Sequence, residues 1–182
     1  MPPPLTVSFV AGHHGPWRIE RITAVAGESL AEARHLAVTE GATPPANGAW
    51  TLRGATSNTR YTRRDEVNAL AAQQAGLGRP EARCAALIPI RKSAAWWDLA
   101  QDERRAVFEE QSRHIGIGLE YLPAVARRLH HSRELGELFD FLTWFEYAPE
   151  HADAFEHMVQ RLRATPEWRF VDREVDVRLR RD

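Results

Sequence analysis

His114 is the residue of this chain whose type and setting most invite chemistry. Val107, Phe108, Gln111, His114, Ile115, Gly118 and Leu119 fall at i, i+1, i+4, i+7, i+8, i+11 and i+12. That spacing predicts an amphipathic helix with the histidine in the middle of its apolar face. An imidazole turned inward needs a partner, because burying an unsatisfied polar group costs about 1–3 kcal/mol. A hydrogen-bond acceptor satisfies it, and so does a metal. Thirteen residues further on, Arg127 lies on a segment that reads as a strand. Its guanidinium is a cation at any working pH. Lys92 is also singular: of the 24 basic residues, 23 are arginine and it is the only lysine. Either a GC-rich coding sequence drifted to arginine by chance elsewhere, or position 92 needs a compact ammonium.

The elements that must position these residues fall into two parts. In the first, residues 6–12 and 17–25 read as strands around a Gly15-Pro16 turn. Residues 28–39 read as a brief helix or crossing segment, 43–48 as a loop, 50–56 as a strand, and 63–75 as a helix stopped by Gly76-Leu77-Gly78-Arg79-Pro80. In the second, residues 84–91 form a strand. A helix starts at Asp98 with Gln101 and runs to about Glu120, before Pro123. Residues 124–132 and 138–147 are strands. The latter is apolar on both faces, with Phe139, Phe141 and Phe145 on one and Leu142 and Trp144 on the other, so both faces are covered. Ala148-Pro149-Glu150 opens a second helix with Phe155, Met158, Val159 and Leu162 inward, and residues 168–180 close as a strand.

The order of the second part is β-α-β-β-α-β, the ferredoxin-like pattern. The first part reads as a truncated version of it. The expected fold is therefore α+β, with a truncated ferredoxin-like half over residues 1–80 and a ferredoxin-like half over residues 81–182. Two such sheets packed together make one compact α+β barrel with helices outside.

The bulk composition excludes several classes. A net charge of −1 gives no handle for nucleic acid or an anionic membrane. One cysteine, Cys84, precludes an internal disulfide. No apolar run is long enough to span a bilayer. Met1-Pro2-Pro3-Pro4 carries no basic region followed by an apolar stretch, so the expectation is a cytoplasmic protein. The other histidines lack zinc-ligand spacing such as H-E-x-x-H, and there is no glycine-rich phosphate loop or nucleophile elbow.

Ile88-Pro89-Ile90-Arg91-Lys92-Ser93-Ala94-Ala95-Trp96-Trp97, then His114, Arg127 and the block Phe139-Asp140-Phe141-Leu142-Thr143-Trp144-Phe145-Glu146-Tyr147 closely resemble the chlorite dismutase family, in its shorter, dimeric lineage. The resemblance runs from about Trp50 to the C-terminus. It implies haem b as cofactor, held by His114 as the axial iron ligand. Glu167 matches the glutamate on that ligand's other nitrogen, which raises its basicity and fixes its tautomer. Lys92 matches a lysine supporting this pair. Arg127 matches the distal arginine that holds the oxychlorine fragment. Gln74 matches a glutamine that holds that arginine in an alternative orientation. Trp96 and Trp97 match aromatics near the haem edge and its propionates, and Asn58 and Tyr61 resemble the propionate-contacting turn. The implied activity is decomposition of chlorite to chloride and dioxygen by a homodimer.

From the residues alone, Glu167 reads as a turn residue after Pro166, Lys92 as a solvated strand end, and the tryptophan pair as core or interface. Arg127 and Arg128 cannot be told apart. Coprohaem decarboxylases resemble these proteins but lack the distal arginine. Dye-decolourising peroxidases use a distal aspartate, for which no motif is present. A non-catalytic haem-binding or sensing protein is the remaining alternative.

Overall fold

Extended segments turn successive side chains to opposite faces, and eight of them close on one another in this protein. The computed structural model describes residues 3–41, 48–56 and 61–182. The strands are β1 (Thr6–Gly12), β2 (Trp17–Ala26), β3 (His35–Glu40), β4 (Trp50–Ala55), β5 (Cys84–Lys92), β6 (Val125–His131), β7 (Phe141–Tyr147) and β8 (Val171–Arg180). They form a closed barrel in the order β1-β3-β2-β8-β5-β7-β6-β4, with every pairing antiparallel. The first four strands lie as β2-β3-β1-β4 and the last four as β6-β7-β5-β8. Each set thus has its second and third strands side by side and its first strand next to both its third and its fourth. The last set carries helices in its crossovers and the first does not.

The barrel interior is filled by alternate residues of both sets. Phe9, Trp17, Leu36, Leu87, Leu142, Trp144, Val175 and Val177 pack there without solvent contact of any consequence. Trp144 lies 5.7 Å from Phe9 and 5.3 Å from Trp17, ring to ring. A second apolar layer, including Ile88, Ile90, Phe145, Phe155 and Met158, covers the outer face of β5 and β7. β7 is therefore apolar on both faces because each has a cover. Cys84 is buried in the second layer as a free thiol.

The barrel closes at a narrow seam. β4 and β6 share one residue pair, Ala55 with His131, and Ser132 Oγ donates to the Arg53 carbonyl at 2.7 Å. Gly54 makes this approach possible, since a Cβ there would stand 2.6 Å from the Cβ of His130.

The helices are α1 (Arg64–Gln73), α2 (Ala94–Asp98), α3 (Gln101–Arg105), α4 (His114–Glu120) and α5 (Ala152–Arg163). α5 buries Phe155, Met158, Val159 and Leu162 at i, i+3, i+4 and i+7, as its sequence predicts. Among the described residues no helix is long and apolar enough to cross a membrane.

Four sequence expectations are corrected. Residues 28–39 form no helix: 35–40 pair with β1 and β2 as β3. The single helix from Asp98 to Glu120 is broken. α3 starts at Gln101, where Glu103 caps the Ala100 amide at 2.7 Å. Wide π-type turns follow over Ala106–Gln111, and Arg113 at φ 53° ends the run in the left-handed region. His114 thus opens a new helix instead of sitting mid-stripe. Phe139 packs inside the barrel with Leu142 and Trp144, because β7 begins only at Phe141 and the alternation does not extend back to it. Lastly, Pro166–Phe170 is a 3-10 turn, so β8 starts at Val171.

Candidate functional site

A cavity of about 440 Å³ lies between the outer face of β5, β7 and β6 and the helices α1, α4 and α5. That size is typical of small-molecule and cofactor sites. The surface of its walls is largely apolar, with Ile88, Ile90, Leu70, Phe145, Met158 and Leu162 among them.

His114 lines this cavity from the first position of α4. Its Nδ1 lies 2.7 Å from Glu167 Oε2. A carboxylate only accepts, so Nδ1 carries the hydrogen and Nε2 is the nitrogen left to bind a ligand. The ring is stacked on Phe108 at 4.5 Å and lies near-parallel to Trp168 at 6.2 Å. Three residues thus fix its rotation.

Glu167 is 4% exposed and bonded on every side. Lys92 Nζ donates to its Oε1 at 2.8 Å, and its own amide donates to Ser112 Oγ at 2.9 Å. Burial pushes the Glu167 carboxyl up, but the charges and hydrogen bonds of His114 and Lys92 outweigh it and hold the pKa down at about 2. Lys92 is 6% exposed, not a solvated strand end. Its ammonium lies over Trp96 at 4.4 Å and Trp168 at 5.6 Å, and its amide donates to the buried Asp140 at 2.7 Å. Between two indole faces and one carboxylate, a compact ammonium is well matched.

Arg127 lines the same cavity, projecting from β6. Among the described residues no hydrogen bond or ion pair engages its guanidinium. Desolvation by burial pushes its pKa down, with no carboxylate to oppose it. It stays charged, so the cavity holds one uncompensated cation. Arg128, the neighbour from which the sequence could not separate it, is engaged instead: Nε donates to His130 Nε2 and Nη1 to Glu40, both at 2.9 Å.

The remaining predicted residues divide. Trp96 lines the cavity and is 1% exposed, with its Nε1 hydrogen unaccepted among the described residues. Tyr61 lines the cavity at φ 59°, edge-on to Trp96 at 5.7 Å, and Arg104 and Arg105 hold its hydroxyl and carbonyl. Gln74 also lines it, but its Nε2 donates to the Arg127 carbonyl at 2.7 Å, holding main chain and not the guanidinium. Trp97 lies outside the lining of this cavity. It stacks on Phe141 at 6.2 Å and under the Arg133 guanidinium at 3.9 Å, beside a separate shallow hollow. Asn58 lies outside the described residues.

Sequence reasoning missed Phe108, Ser112, Trp168 and Gly118. Phe108 carried a signal, its place in the same apolar run as His114. Ser112 and Trp168 act through partners 55 and 54 residues distant in the chain, and no local pattern marks them.

The family model described as "Chlorite dismutase" matches residues 28–180. A curated chlorite dismutase from Ideonella dechloratans is 35% identical over 85 residues, which are 47% of this chain and 28% of that protein, so the match spans little more than a quarter of the relative's length. Among solved structures, the dimeric chlorite dismutase of Nitrobacter winogradskyi is 58% identical, with a TM-score of 0.90 over 96% of this chain and 99% of that one. A mutant chlorite dismutase of Candidatus Nitrospira defluvii is 19% identical, with a TM-score of 0.62 over 96% and 91% of the two chains, a likeness of fold. With most of its length matched by one family model, this chain belongs to the chlorite dismutase family.

Proposed function

We infer that the protein is a haem b enzyme that decomposes chlorite to chloride and dioxygen. The observation that carries this reading is a single cavity lined both by His114, whose Nδ1 is held by Glu167, and by the unpaired cation of Arg127. The similarity to the dimeric chlorite dismutase of Nitrobacter winogradskyi along nearly the whole chain supports it.

The residues present fit haem. His114 and His131 both line the cavity, and it is His114 whose ring is oriented by a carboxylate; among the described residues no cluster of three or more His, Cys, Asp or Glu side chains could hold a bare ion. Haem brings four nitrogens of its own and would need from the chain one imidazole donor, His114, and largely apolar walls. The unaccepted Nε1 hydrogen of Trp96 and the uncompensated Arg127 suit a group bearing carboxylates and an anionic substrate. When bound, haem b supplies an iron coordination position and the redox capacity for Cl–O cleavage and O–O formation.

The chain's own residues do the rest. His114 binds through Nε2. Glu167 keeps the Nδ1 hydrogen in place and raises the ring's basicity, while Lys92 keeps Glu167 ionised. Arg127 would draw the chlorite anion into the cavity and hold the developing negative charge there. The apolar walls limit water. ClO₂⁻ → Cl⁻ + O₂ is balanced without a second substrate. By the same similarity we assign a homodimer, to be checked by light scattering for twice the mass of the chain.

The test is an oxygen-electrode trace when chlorite is added to haem-loaded protein, with His114→Ala as control. Oxygen evolution, and a Soret band whose position or intensity depends on His114, are expected. Haem bound through His114 with no oxygen evolved would make the protein a non-catalytic haem binder.

A further inference from the structure

α4, the helix that presents His114, starts without an ordinary cap. Arg113 precedes it in the left-handed region, at φ 53°, and makes no side-chain cap hydrogen bond. The helix has 7 residues, with glycines at 116 and 118, so its intrinsic propensity is low. Its amides at Ile115 and Gly116 are the second and third of the helix, the ones an N-cap side chain normally accepts. Both go instead to one carboxylate six and seven residues back. Glu109 Oε2 accepts from the Ile115 amide at 2.7 Å and Oε1 from the Gly116 amide at 3.3 Å.

Glu109 lies in the wide turns of Ala106–Gln111, next to Phe108, whose ring is stacked on His114. One short segment therefore holds both the main chain and the ring of the histidine. Glu167 restrains the ring through Nδ1, but it does not restrain the backbone. Without the Glu109 carboxylate, the first turn of α4 is free to fray about Arg113, and the histidine moves with it.

We propose that Glu109 is a positioning residue for His114: its carboxylate replaces the missing N-cap of α4 and sets where the imidazole enters the cavity. The proposal rests on reading His114 as the iron ligand. The Glu109 bonds to amides are charge-assisted, and the negative charge also opposes the exposed N–H dipoles of the helix start. The role acts through main-chain placement, so Glu109 need touch neither haem nor substrate.

The test compares wild type with Glu109→Ala and Glu109→Gln by three readouts. These are hydrogen exchange at the Ile115 and Gly116 amides in haem-free protein, the iron–histidine stretching band of the ferrous haem-loaded protein, and the rate of haem transfer to apomyoglobin. In Glu109→Ala both amides lose protection, the band shifts or broadens, and haem leaves about fivefold faster, the equivalent of about 1 kcal/mol for a lost N-cap. Glu109→Gln keeps an acceptor oxygen without the charge and falls between. Unchanged amide exchange, or faster exchange with the band and transfer rate of wild type, overturns the proposal. Should Glu109→Ala not fold, Glu109→Gln decides on the same three readouts. If wild-type protein takes up no haem through His114, the functional reading falls by itself. Positioning is then judged by the His114 ring resonances of the haem-free protein, which must move in Glu109→Ala for the proposal to stand.

Discussion

The Arg127 guanidinium faces Gly118 across the width of a methyl group: a Cβ at position 118 would stand 3.8 Å from its Nη1, in ordinary van der Waals contact. α4 begins with His114 and, one turn later, carries the residue that faces this cation, uncompensated among the described residues. The groups assigned to ligand and to substrate thus meet at one short helix: His114 belongs to α4, and Arg127, on β6, faces its Gly118.

Arg127→Ala is expected to keep haem and lose at least about tenfold in chlorite turnover, the size of one charge-assisted hydrogen bond to the anion. It should also bleach faster, because the oxychlorine fragment escapes and attacks the protein. Gly118→Leu, which fills the space against which the guanidinium lies, should resemble it. Oxygen evolved per haem before inactivation is the measurement. A variant that turns over and survives like wild type removes Arg127 from the reaction.

Lys92→Arg should destabilise a chain that uses arginine for every other basic residue. The planar guanidinium does not fit the space between the Trp96 and Trp168 faces that a compact ammonium fills. Lys92→Met leaves Glu167 buried with one partner fewer, and breaking a buried pair costs about 3–5 kcal/mol. Urea unfolding of the haem-free protein measures both, and a wild-type midpoint in either contradicts the role given to Lys92.

Acid should weaken the fold in two stages. Desolvation, helped by the neighbouring Arg128 charge, lowers the His130 pKa to about 4 from 6.5 against the opposing hydrogen bond to Leu142. The unfolded chain then takes up this proton first, so the contribution is complete above about pH 6.5 and is lost as pH falls towards 4. The Glu167 pKa is lowered to about 2 from 4.5. Its contribution is present above about pH 4.5 and is lost as pH falls towards 2. Urea midpoints at pH 7, 5 and 3 check this. His130→Gln should flatten the first interval and Glu167→Gln the second.

Gly54→Ala should open the seam between β4 and β6. The new methyl would meet the His130 Cβ at 2.6 Å, and His130 is held in place by Leu142 and Arg128. Overpacking of this kind costs about 1–3 kcal/mol. Thermal unfolding, and faster amide exchange at Ala55 and His131, are the measurements.

Much of the second half was legible because its patterns are local. Short apolar runs mark β5 and β7, alternation against charges marks β8, and the i, i+3, i+4, i+7 spacing marks α5. The short 35–40 strand was missed because six residues of mixed character carry no clear period, and pairing with β1 decides them. The break at Arg113 was missed because apolar spacing runs through it undisturbed, while the hydrogen bonds of Glu109 and the wide turns before it do not show in spacing.

Composition and order along the chain determined most of the element types, the α+β class and the singularity of His114 and Lys92. They could not determine which residues meet. Lys92 and Glu167 are 75 residues apart and His114 and Glu167 are 53 apart. The charges at Glu174, Asp176 and Arg178 read as the polar side of a strand, yet they are buried as a paired network with Arg163 beneath α5. Trp96 and Trp97 are neighbours in the chain, and only the closing of the barrel sends one to the cavity and the other away from it. Periodicity assigns a side chain to a face. Closure of eight strands and the packing of helices on one side of them decide what that face confronts.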